Sequence, residues 1–154
     1  MAQAGTTSTV RPEARICSIA RTLEVVGEKW ALLAVREVFL GVHRFDEMVA
    51  RTGAPRDTLA TRLRTLVAEG VLERRRYSER PPRDEYVLTE AGRDLYPVIL
   101  SLLQWGDRHR AGQDGPPVVL EHRCGARLDP VLVCRECAEP VRPKDVRRVR
   151  RDEA

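Results

Sequence analysis

Four side chains near the C-terminal end of this 154-residue chain are of types that bind metal ions. Their spacing is His122-x-Cys124, nine residues, then Cys134-x-x-Cys137. Two close pairs of such ligands are typical of a structural zinc ribbon, in which four ligands enclose the metal. Zinc would also stabilise residues 118–149, which contain few large apolar side chains. The spacing therefore predicts a small tail that holds a structural zinc ion.

The same spacing leaves three alternatives open. Only one residue separates His122 from Cys124, which makes chelation by adjacent ligands harder, so Asp129 or water could be the fourth ligand instead. Cys134 and Cys137 could form a dithiol–disulfide switch, or the thiols could be inert. No catalytic residues accompany this cluster, because the sequence has no Gly-rich phosphate loop, nucleophile elbow or carboxylate pair with a histidine partner. We expect a protein that is not an enzyme.

The remaining cysteine, Cys17, stands alone just before the first predicted helix. The positive end of the helix dipole and the neighbouring Arg15 and Arg21 would favour its thiolate, which is the reactive form. Cys17 is therefore a candidate redox-sensing residue. The alternative is a small buried apolar residue, because unpaired cysteines are among the most buried residue types.

Arginine is concentrated in the middle of the chain. Residues 56–83 contain eight arginines and four acidic residues, so their net charge of +4 equals that of the whole chain. A basic surface on an otherwise neutral protein is typical of a polyanion binder, and the alternative is a solvated face without a partner. The chain has no apolar run long enough for a membrane helix, and residues 1–10 do not resemble a signal peptide, so we expect a cytoplasmic protein.

The helices that must position these side chains are predicted from the spacing of apolar residues. Gly53 ends a short third helix, and a fourth begins at Pro55, with Leu59, Leu63 and Leu66 in its buried stripe. Two helices joined by such a tight turn are typical of a helix-turn-helix, whose second helix enters the major groove of DNA. The expected helices are residues 18–26, 28–40, 44–52 and 55–69.

A β-hairpin and a long helix are predicted to follow. Strands at residues 71–77 and 85–88 flank a tip that is rich in proline and arginine. Thr89 is expected to cap one long helix over residues 90–110, and Pro97 is expected to kink it. A hairpin directly after a helix-turn-helix is typical of a wing, so the order of elements predicts a winged helix-turn-helix.

The side chains expected to contact DNA lie on the solvent face of the fourth helix and on the hairpin. Arginine can bond both acceptors on the edge of a guanine, and threonine can contact bases or phosphates. The hairpin arginines could reach phosphates or the minor groove, whereas the alternative for each is a solvated surface charge. The candidate contacts are Arg44, Arg56, Thr58, Thr61, Arg62, Arg64, Arg76, Arg80 and Arg83.

Several short motifs occur along the chain in a fixed order. They are Cys17-Ser-Ile, Gly27-Glu-Lys-Trp30, Arg44-Phe45, Leu59 through Leu66, and Pro81-Pro-Arg-Asp-Glu-Tyr86-Val-Leu-Thr89-Glu-Ala-Gly92. Over about residues 16–110, this order resembles the HxlR-type family of bacterial winged helix-turn-helix regulators. The resemblance implies a homodimer joined through the first and last helices of the domain, bound to a near-palindromic operator.

The resemblance also bears on two single residues. Cys17 matches the position at which some members of that family carry a thiol sensor of oxidants or electrophiles. Ala54 stands where such proteins often have a capping serine or threonine before the recognition helix, which puts that hydrogen bond in doubt.

The sequence as a whole predicts a mainly helical α+β fold: a winged helix-turn-helix with a long C-terminal dimerisation helix and a small Cys-rich, zinc-ribbon-like tail. We expect a sequence-specific, thiol-responsive transcriptional regulator that binds double-stranded DNA as a homodimer and answers a small-molecule or oxidant effector. The alternative is a winged-helix adaptor for protein contacts with a structural zinc tail. The expected segments are a disordered arm (1–14), the DNA-binding domain (15–111), a linker (112–117), the tail (118–149) and a frayed end (150–154).

Overall fold

The computed structural model describes residues 17–149, so the predicted arm (1–14) and frayed end (150–154) lie outside the described residues. The chain divides into two compact units, one ending at Asp94 and the other beginning at Leu95. No helix in the described range is long and apolar enough to cross a membrane. The elements are α1 (Ser18–Val26), α2 (Lys29–Phe39), α3 (Phe45–Thr52), α4 (Arg56–Ala68), β1 (Leu72–Glu79), β2 (Pro82–Leu88), α5 (Glu90–Arg93) and α6 (Tyr96–Arg110).

The first unit is built around α2. Ala34 and Val35 on this helix are completely buried, and α1, α3, α4 and β2 all pack against it. The predicted stripe on α4 is confirmed, because Leu59, Leu63 and Leu66 are also completely buried. Burial of each leucine side chain contributes about 1.5–3 kcal/mol to folding. These contacts fix the face of α4 that points inward, and therefore the face that remains exposed.

The turn between α3 and α4 is formed by three residues. Gly53 ends α3 with a φ of +69°, in the left-handed region that glycine adopts at little cost. Pro55 is the N-cap residue of α4, so the helix begins one residue later than predicted. Its side chain makes no capping hydrogen bond. The Ala54 N–H donates to Thr52 Oγ1 at 3.2 Å, which orders the turn, but α4 has no side-chain cap, as the alanine at this position predicted.

The wing is a two-stranded antiparallel sheet of β1 and β2. Its register runs from Leu72 opposite Leu88 to Glu79 opposite Pro82, with an irregularity between Arg76 and Ser78. The second strand therefore begins three residues earlier than predicted. A proline at the first position of an edge strand is tolerated because no ladder hydrogen bond needs its missing N–H.

Thr89 and Gly92 join the end of the wing to the end of α4. The Thr89 hydroxyl donates to the Gly70 carbonyl at 2.6 Å and accepts the Gly92 N–H at 3.1 Å, which confirms the predicted cap. A Cβ atom at Gly92 would lie only 2.2 Å from the Val71 carbonyl oxygen. Only glycine permits this close approach, so the Thr-x-x-Gly spacing holds the wing in register with the helix-turn-helix.

The prediction of a single long helix over residues 90–110 is wrong. Two helices are present, α5 and α6, separated by Asp94 and Leu95. Pro97 lies in the first turn of α6, where a missing N–H is tolerated. Proline cannot donate to the carbonyl four residues earlier, on Arg93, and Arg93 is where α5 ends. The proline therefore breaks the predicted helix instead of kinking it.

The second unit contains α6 and the tail. Gln104 on α6 donates to Asp129 Oδ1 and to the Pro130 carbonyl, both at 2.9 Å. These bonds place α6 in the same unit as the tail, although we expected it to belong with the helices that precede it. Two short antiparallel bridges, Glu121 with Arg127 and Val133 with Pro140, organise the tail.

Candidate nucleic-acid interface

The outward face of α4 is formed by residues on the side opposite the leucine stripe. Thr61 and Arg64 are exposed there, and Thr58 is half-buried beside them. The Arg64 guanidinium donates to Thr61 Oγ1 at 2.9 Å, and the Thr61 hydroxyl donates to the Asp57 carbonyl at 2.8 Å. This chain of hydrogen bonds holds a cation and a hydroxyl together on the exposed side of the second helix of the helix-turn-helix.

Arg56 connects the start of α4 to the start of α3. Its guanidinium donates to Asp46 Oδ1 at 2.7 Å and lies 4.9 Å from the centre of the Phe45 ring. Both charged side chains are exposed, so the pair adds little stability. The pair nevertheless orients Arg56 beside the exposed face of α4. Sequence reasoning missed Asp46, and the only local signal was an acidic residue in the first turn of α3.

Arg62 does not lie on the solvent face of α4, where we expected it. Its guanidinium lies 3.7 Å from Glu28 Oε2, and only 31% of its side chain is exposed. The Nε atom is buried without a hydrogen-bond partner. Because Arg62 is three residues after Leu59 and four before Leu66, helical periodicity places it at the edge of the buried stripe. The partly buried position of Arg62 could therefore have been predicted from its spacing relative to these leucines.

Arg44 lies between α3 and the wing. Its guanidinium is 4.9 Å from the centre of the Tyr77 ring and 3.9 Å from Glu47 Oε1. All of these side chains are exposed or half-buried, so the contacts orient Arg44 without removing it from solvent. The residue is thus available at the edge of the helix-turn-helix nearest to β1.

The wing arginines divide into paired and unpaired groups. Arg74 and Arg76 both bond to Asp84 across the sheet. Arg80 and Arg83 at the tip are exposed, and no carboxylate partner for either one lies within residues 17–149. The tip therefore presents two uncompensated positive charges.

Arg75 is paired with Glu73 on the same strand. Its guanidinium donates to both carboxylate oxygens of Glu73, at 2.9 and 3.3 Å. This hydrogen bonding, and then the charge of Arg75, hold the pKa of Glu73 below its usual value. The same contacts raise the pKa of Arg75. Both side chains are exposed, and the charge of Arg75 is already balanced by Glu73.

Cys17 is the N-cap residue of α1. It has extended backbone angles, its side chain makes no capping hydrogen bond, and its carbonyl accepts the Arg21 N–H at 3.1 Å. The residue is half-buried and its thiol is not in a disulfide. The predicted position at a helix N-terminus is therefore observed, whereas Arg15 lies outside the described residues.

The structure joins the predicted tail ligands in two pairs. His122 Nδ1 lies 3.2 Å from Cys124 Sγ. In the other pair, the backbone N–H groups of Cys137 and Glu136 bond to Cys134, with a further bond from the Cys137 side chain, and together they lower the pKa of the Cys134 thiol. No three His, Cys, Asp or Glu side chains of residues 17–149 form a group that could hold a metal ion. Zinc binding stays a prediction.

Comparison with known proteins establishes the family. The HxlR-like helix-turn-helix family matches residues 25–114, which is more than half of the chain. This protein belongs to the HxlR-like helix-turn-helix family. The recognition of that family from its motifs is thereby confirmed, and so is the winged-helix fold.

Three proteins that are similar to this chain are described as regulators or as a transcription factor. The uncharacterized HTH-type transcriptional regulator Rv3095 of Mycobacterium tuberculosis is 48% identical over 130 residues, covering 84% of this chain and 82% of the relative. The solved structure of PA1607, a candidate transcription factor, has a TM-score of 0.78 with 35% identity, covering 88% of this chain and 95% of that one. The redox regulator HypR, in its oxidized form, has a TM-score of 0.57 with 36% identity, covering 61% and 98%.

These relatives identify the HxlR-like protein as a transcriptional regulator and not an enzyme. The similarity to Rv3095 also extends beyond the family match. Only 24 residues precede residue 25, so an alignment over 130 residues must include part of the chain after residue 114. The Cys-bearing tail is therefore at least partly shared with this relative.

Proposed function

We propose that this HxlR-like regulator binds double-stranded DNA sequence-specifically, with α4 as its recognition helix. The observation that carries the proposal is the exposed Thr61–Arg64 pair on the second helix of the helix-turn-helix, opposite a fully buried leucine stripe. Such a helix lies in the major groove, where a guanidinium bonds the O6 and N7 atoms of guanine. The Thr61 hydroxyl restricts the Arg64 side chain, which lowers the entropy lost when a base is bound.

In this proposal the wing contacts DNA phosphates, and these contacts do not depend on the base sequence of the DNA. Arg80 and Arg83 at its tip have no carboxylate partner in the described part of the chain, so DNA phosphates would meet uncompensated charges. Arg76 lies further from the tip and shares Asp84 with Arg74, so its contribution is smaller. Phosphate neutralisation releases condensed counterions and makes the affinity steeply dependent on salt.

The active form in this proposal is a homodimer. On α6, Val98, Leu102 and Trp105 are between 44% and 54% exposed, and no residue of this helix is buried. On α1, Ile19 and Leu23 are also exposed. Apolar faces of this kind are typical of interfaces between copies of a chain. A two-fold dimer presents two identical recognition helices, which is why we expect a near-palindromic operator.

Oxidation of Cys17 is the proposed signal. Cys17 is the N-cap residue of α1, one of the two helices that we place in the dimer interface because of their exposed apolar faces, so a change at its thiol acts beside that interface. The similarity to HypR, a redox regulator, supports this part of the proposal. A helix N-terminus favours the thiolate that reacts with oxidants.

The proposal is tested by titrating the purified full chain against its own upstream intergenic DNA at several salt concentrations, with and without a thiol oxidant. We expect tight, sequence-selective binding that weakens steeply with salt, and that Arg64→Ala abolishes the selectivity. Oxidation should weaken binding for the natural chain but not for Cys17→Ser. Binding without sequence preference, in the upstream region and in a genomic library of fragments, would contradict the proposal, and no DNA binding at all would favour a protein-interaction adaptor.

A further inference from the structure

The tail contains two turns with the same construction. The first knuckle, residues 121–127, is closed by the bridge between Glu121 and Arg127, and the second knuckle, residues 133–140, by the bridge between Val133 and Pro140. In the first, the His122 N–H donates to Ala126 O at 2.9 Å. In the second, the Cys134 N–H donates to Glu139 O at the same distance. His122 and Cys134 thus occupy equivalent positions in the two turns.

The second member of each pair is also equivalent. Cys124 is followed by Gly125 with a φ of +84°, and Cys137 is followed by Ala138 with a φ of +58°. Within residues 17–149, Ala138 is the only non-glycine residue with a positive φ. A left-handed alanine is unfavourable and persists only where the surrounding turn requires it. Both knuckles therefore use a left-handed residue directly after their second ligand.

Each knuckle brings its two donor side chains together. The left-handed Gly125 closes the first turn, with its N–H 2.8 Å from the His122 carbonyl, and His122 Nδ1 comes within 3.2 Å of Cys124 Sγ. One intervening residue is therefore no obstacle to pairing these ligands. In the second turn, the left-handed Ala138 donates its N–H to the Cys134 carbonyl at 2.8 Å, and the Cys137 side chain bonds to Cys134.

The structure also selects among the possible fourth ligands. Asp129 Oδ1 already accepts a hydrogen bond from Gln104 at 2.9 Å, which holds that carboxylate on α6. The His122 side chain makes no such hydrogen bond to α6, and its partner in the described structure is Cys124. The equivalent positions of His122 and Cys134 therefore favour a set of three cysteines and one histidine.

A metal would also supply stability that the tail otherwise lacks. None of residues 111–149 is buried, and Val131 and Leu132 are 73% and 72% exposed. A segment without a hydrophobic core requires a crosslink to stay folded, and a structural metal is one of the few crosslinks that small segments use.

We propose that the two knuckles bind one zinc ion through His122 Nδ1 and the Sγ atoms of Cys124, Cys134 and Cys137. Four such ligands satisfy the tetrahedral preference of zinc and leave no open position, so the site is structural. Because these donors form no group of three in the described structure, binding must move one knuckle toward the other. The thiol protons are released to solvent as the thiolates bind, so affinity falls at low pH.

The test uses the full chain, reduced and stripped of metal with a chelator, and then titrated with Co²⁺ or Zn²⁺. We expect one Co²⁺ per chain, with the absorption bands of tetrahedral thiolate coordination, and its displacement by Zn²⁺. Cys124→Ser, Cys137→Ser and His122→Ala should each weaken binding by at least about tenfold, since even an outer-shell partner is worth about 10–100-fold. The matched controls, Cys17→Ser and Asp129→Asn, should bind like the natural chain.

Three results would overturn the proposal. The first is no metal uptake by a reduced chain whose circular dichroism shows intact helices. The second is full affinity in Cys124→Ser, which would reduce the site to the Cys134–Cys137 pair. The third is loss of affinity in Asp129→Asn but not in His122→Ala, which would assign the fourth position to the carboxylate. Circular dichroism of each variant separates a lost ligand from a lost fold.

Discussion

Arg62 on α4 and Glu28 at the start of α2 form an ion pair, with 3.7 Å between Arg62 Nη2 and Glu28 Oε2. Glu28 is 62% exposed, so the attraction between the charges is weak. The Nε atom of Arg62, in contrast, is buried without a partner, and an unsatisfied buried donor is costly. The side chain thus packs at the edge of the core, where the unsatisfied Nε carries an energetic penalty.

Replacement of Arg62 distinguishes these roles. Arg62→Met keeps an apolar stem and removes the unsatisfied Nε, so we expect the free energy of unfolding to stay the same or rise by about 1 kcal/mol. Arg62→Ala also removes the apolar stem and should lower the free energy of unfolding by about 1 kcal/mol. Urea denaturation measures both. If Arg62→Met binds operator DNA as tightly as the natural chain, Arg62 is a packing residue, whereas a large loss restores it as a base contact.

The unpaired arginines at the wing tip predict how the affinity for DNA depends on salt concentration. If Arg80 contacts one phosphate, Arg80→Ala should reduce the slope of log K against log salt concentration by about 0.9. The matched control is Arg75→Ala on the same hairpin, because Arg75 is already paired with Glu73 and should change the slope less. Fluorescence anisotropy over a range of salt concentrations gives both slopes. Equal slopes for the natural chain and Arg80→Ala would show that Arg80 contacts no phosphate.

Features that depend on local periodicity were predictable from the sequence. The leucine stripe of α4, the Gly53 turn and the Thr89 cap each follow from neighbours within about four residues, and all three are observed. The orientation of Arg62 follows from the same periodicity, because its position three residues after Leu59 lies at the edge of the buried stripe.

Features that depend on distant partners were not predictable. Asp46 is ten residues from Arg56 in sequence, and nothing local indicates that the two bond. The bond between Gln104 and Asp129, which ties α6 to the tail, spans 25 residues. In the tail, His122 lies beside Cys124 and Cys134 beside Cys137, as their spacing suggested, but no three such side chains of residues 17–149 form a group that could hold a metal ion.

Gly92 should be intolerant of substitution. A Cβ atom there would lie 2.2 Å from the backbone oxygen of Val71, and that carbonyl also accepts the Thr89 N–H at 3.2 Å. We expect Gly92→Ala to lower the free energy of unfolding by about 2 kcal/mol, as overpacking does. The control is Gly106→Ala, since a Cβ at Gly106 on α6 has nothing within 4 Å. Calorimetry that shows equal melting temperatures for the two variants would contradict this explanation.

The exposed face of α6 predicts the effect of a charge on assembly. Leu102 is 51% exposed, and a charge there would be desolvated if a second copy covers the face. We expect Leu102→Arg to shift the proposed dimer toward monomer by at least about tenfold in dissociation constant, as measured by analytical ultracentrifugation. Ser101→Arg adds the same charge at an exposed neighbouring position and should have a smaller effect. Unchanged association in Leu102→Arg would exclude this face from the dimer.

The reactivity of Cys134 should report the hydrogen bonds around its sulfur. The backbone N–H groups of Cys137 and Glu136, followed by the Cys137 side chain, lower the pKa of the Cys134 thiol. Because the thiolate is the form that reacts, alkylation of metal-free protein by iodoacetamide should reach half its maximal rate at a lower pH for folded Cys134 than for the same thiol in urea-unfolded chain.

Mass spectrometry of tryptic peptides, taken after short exposures across a pH series, assigns the alkylation rates to individual cysteines. Cys137→Ser keeps the two backbone donors and should therefore keep most of the displacement toward lower pH. An identical pH profile for folded and unfolded Cys134 would mean that the second knuckle is not formed in the metal-free protein, so that the Glu136 and Cys137 donors are not held at the sulfur of Cys134.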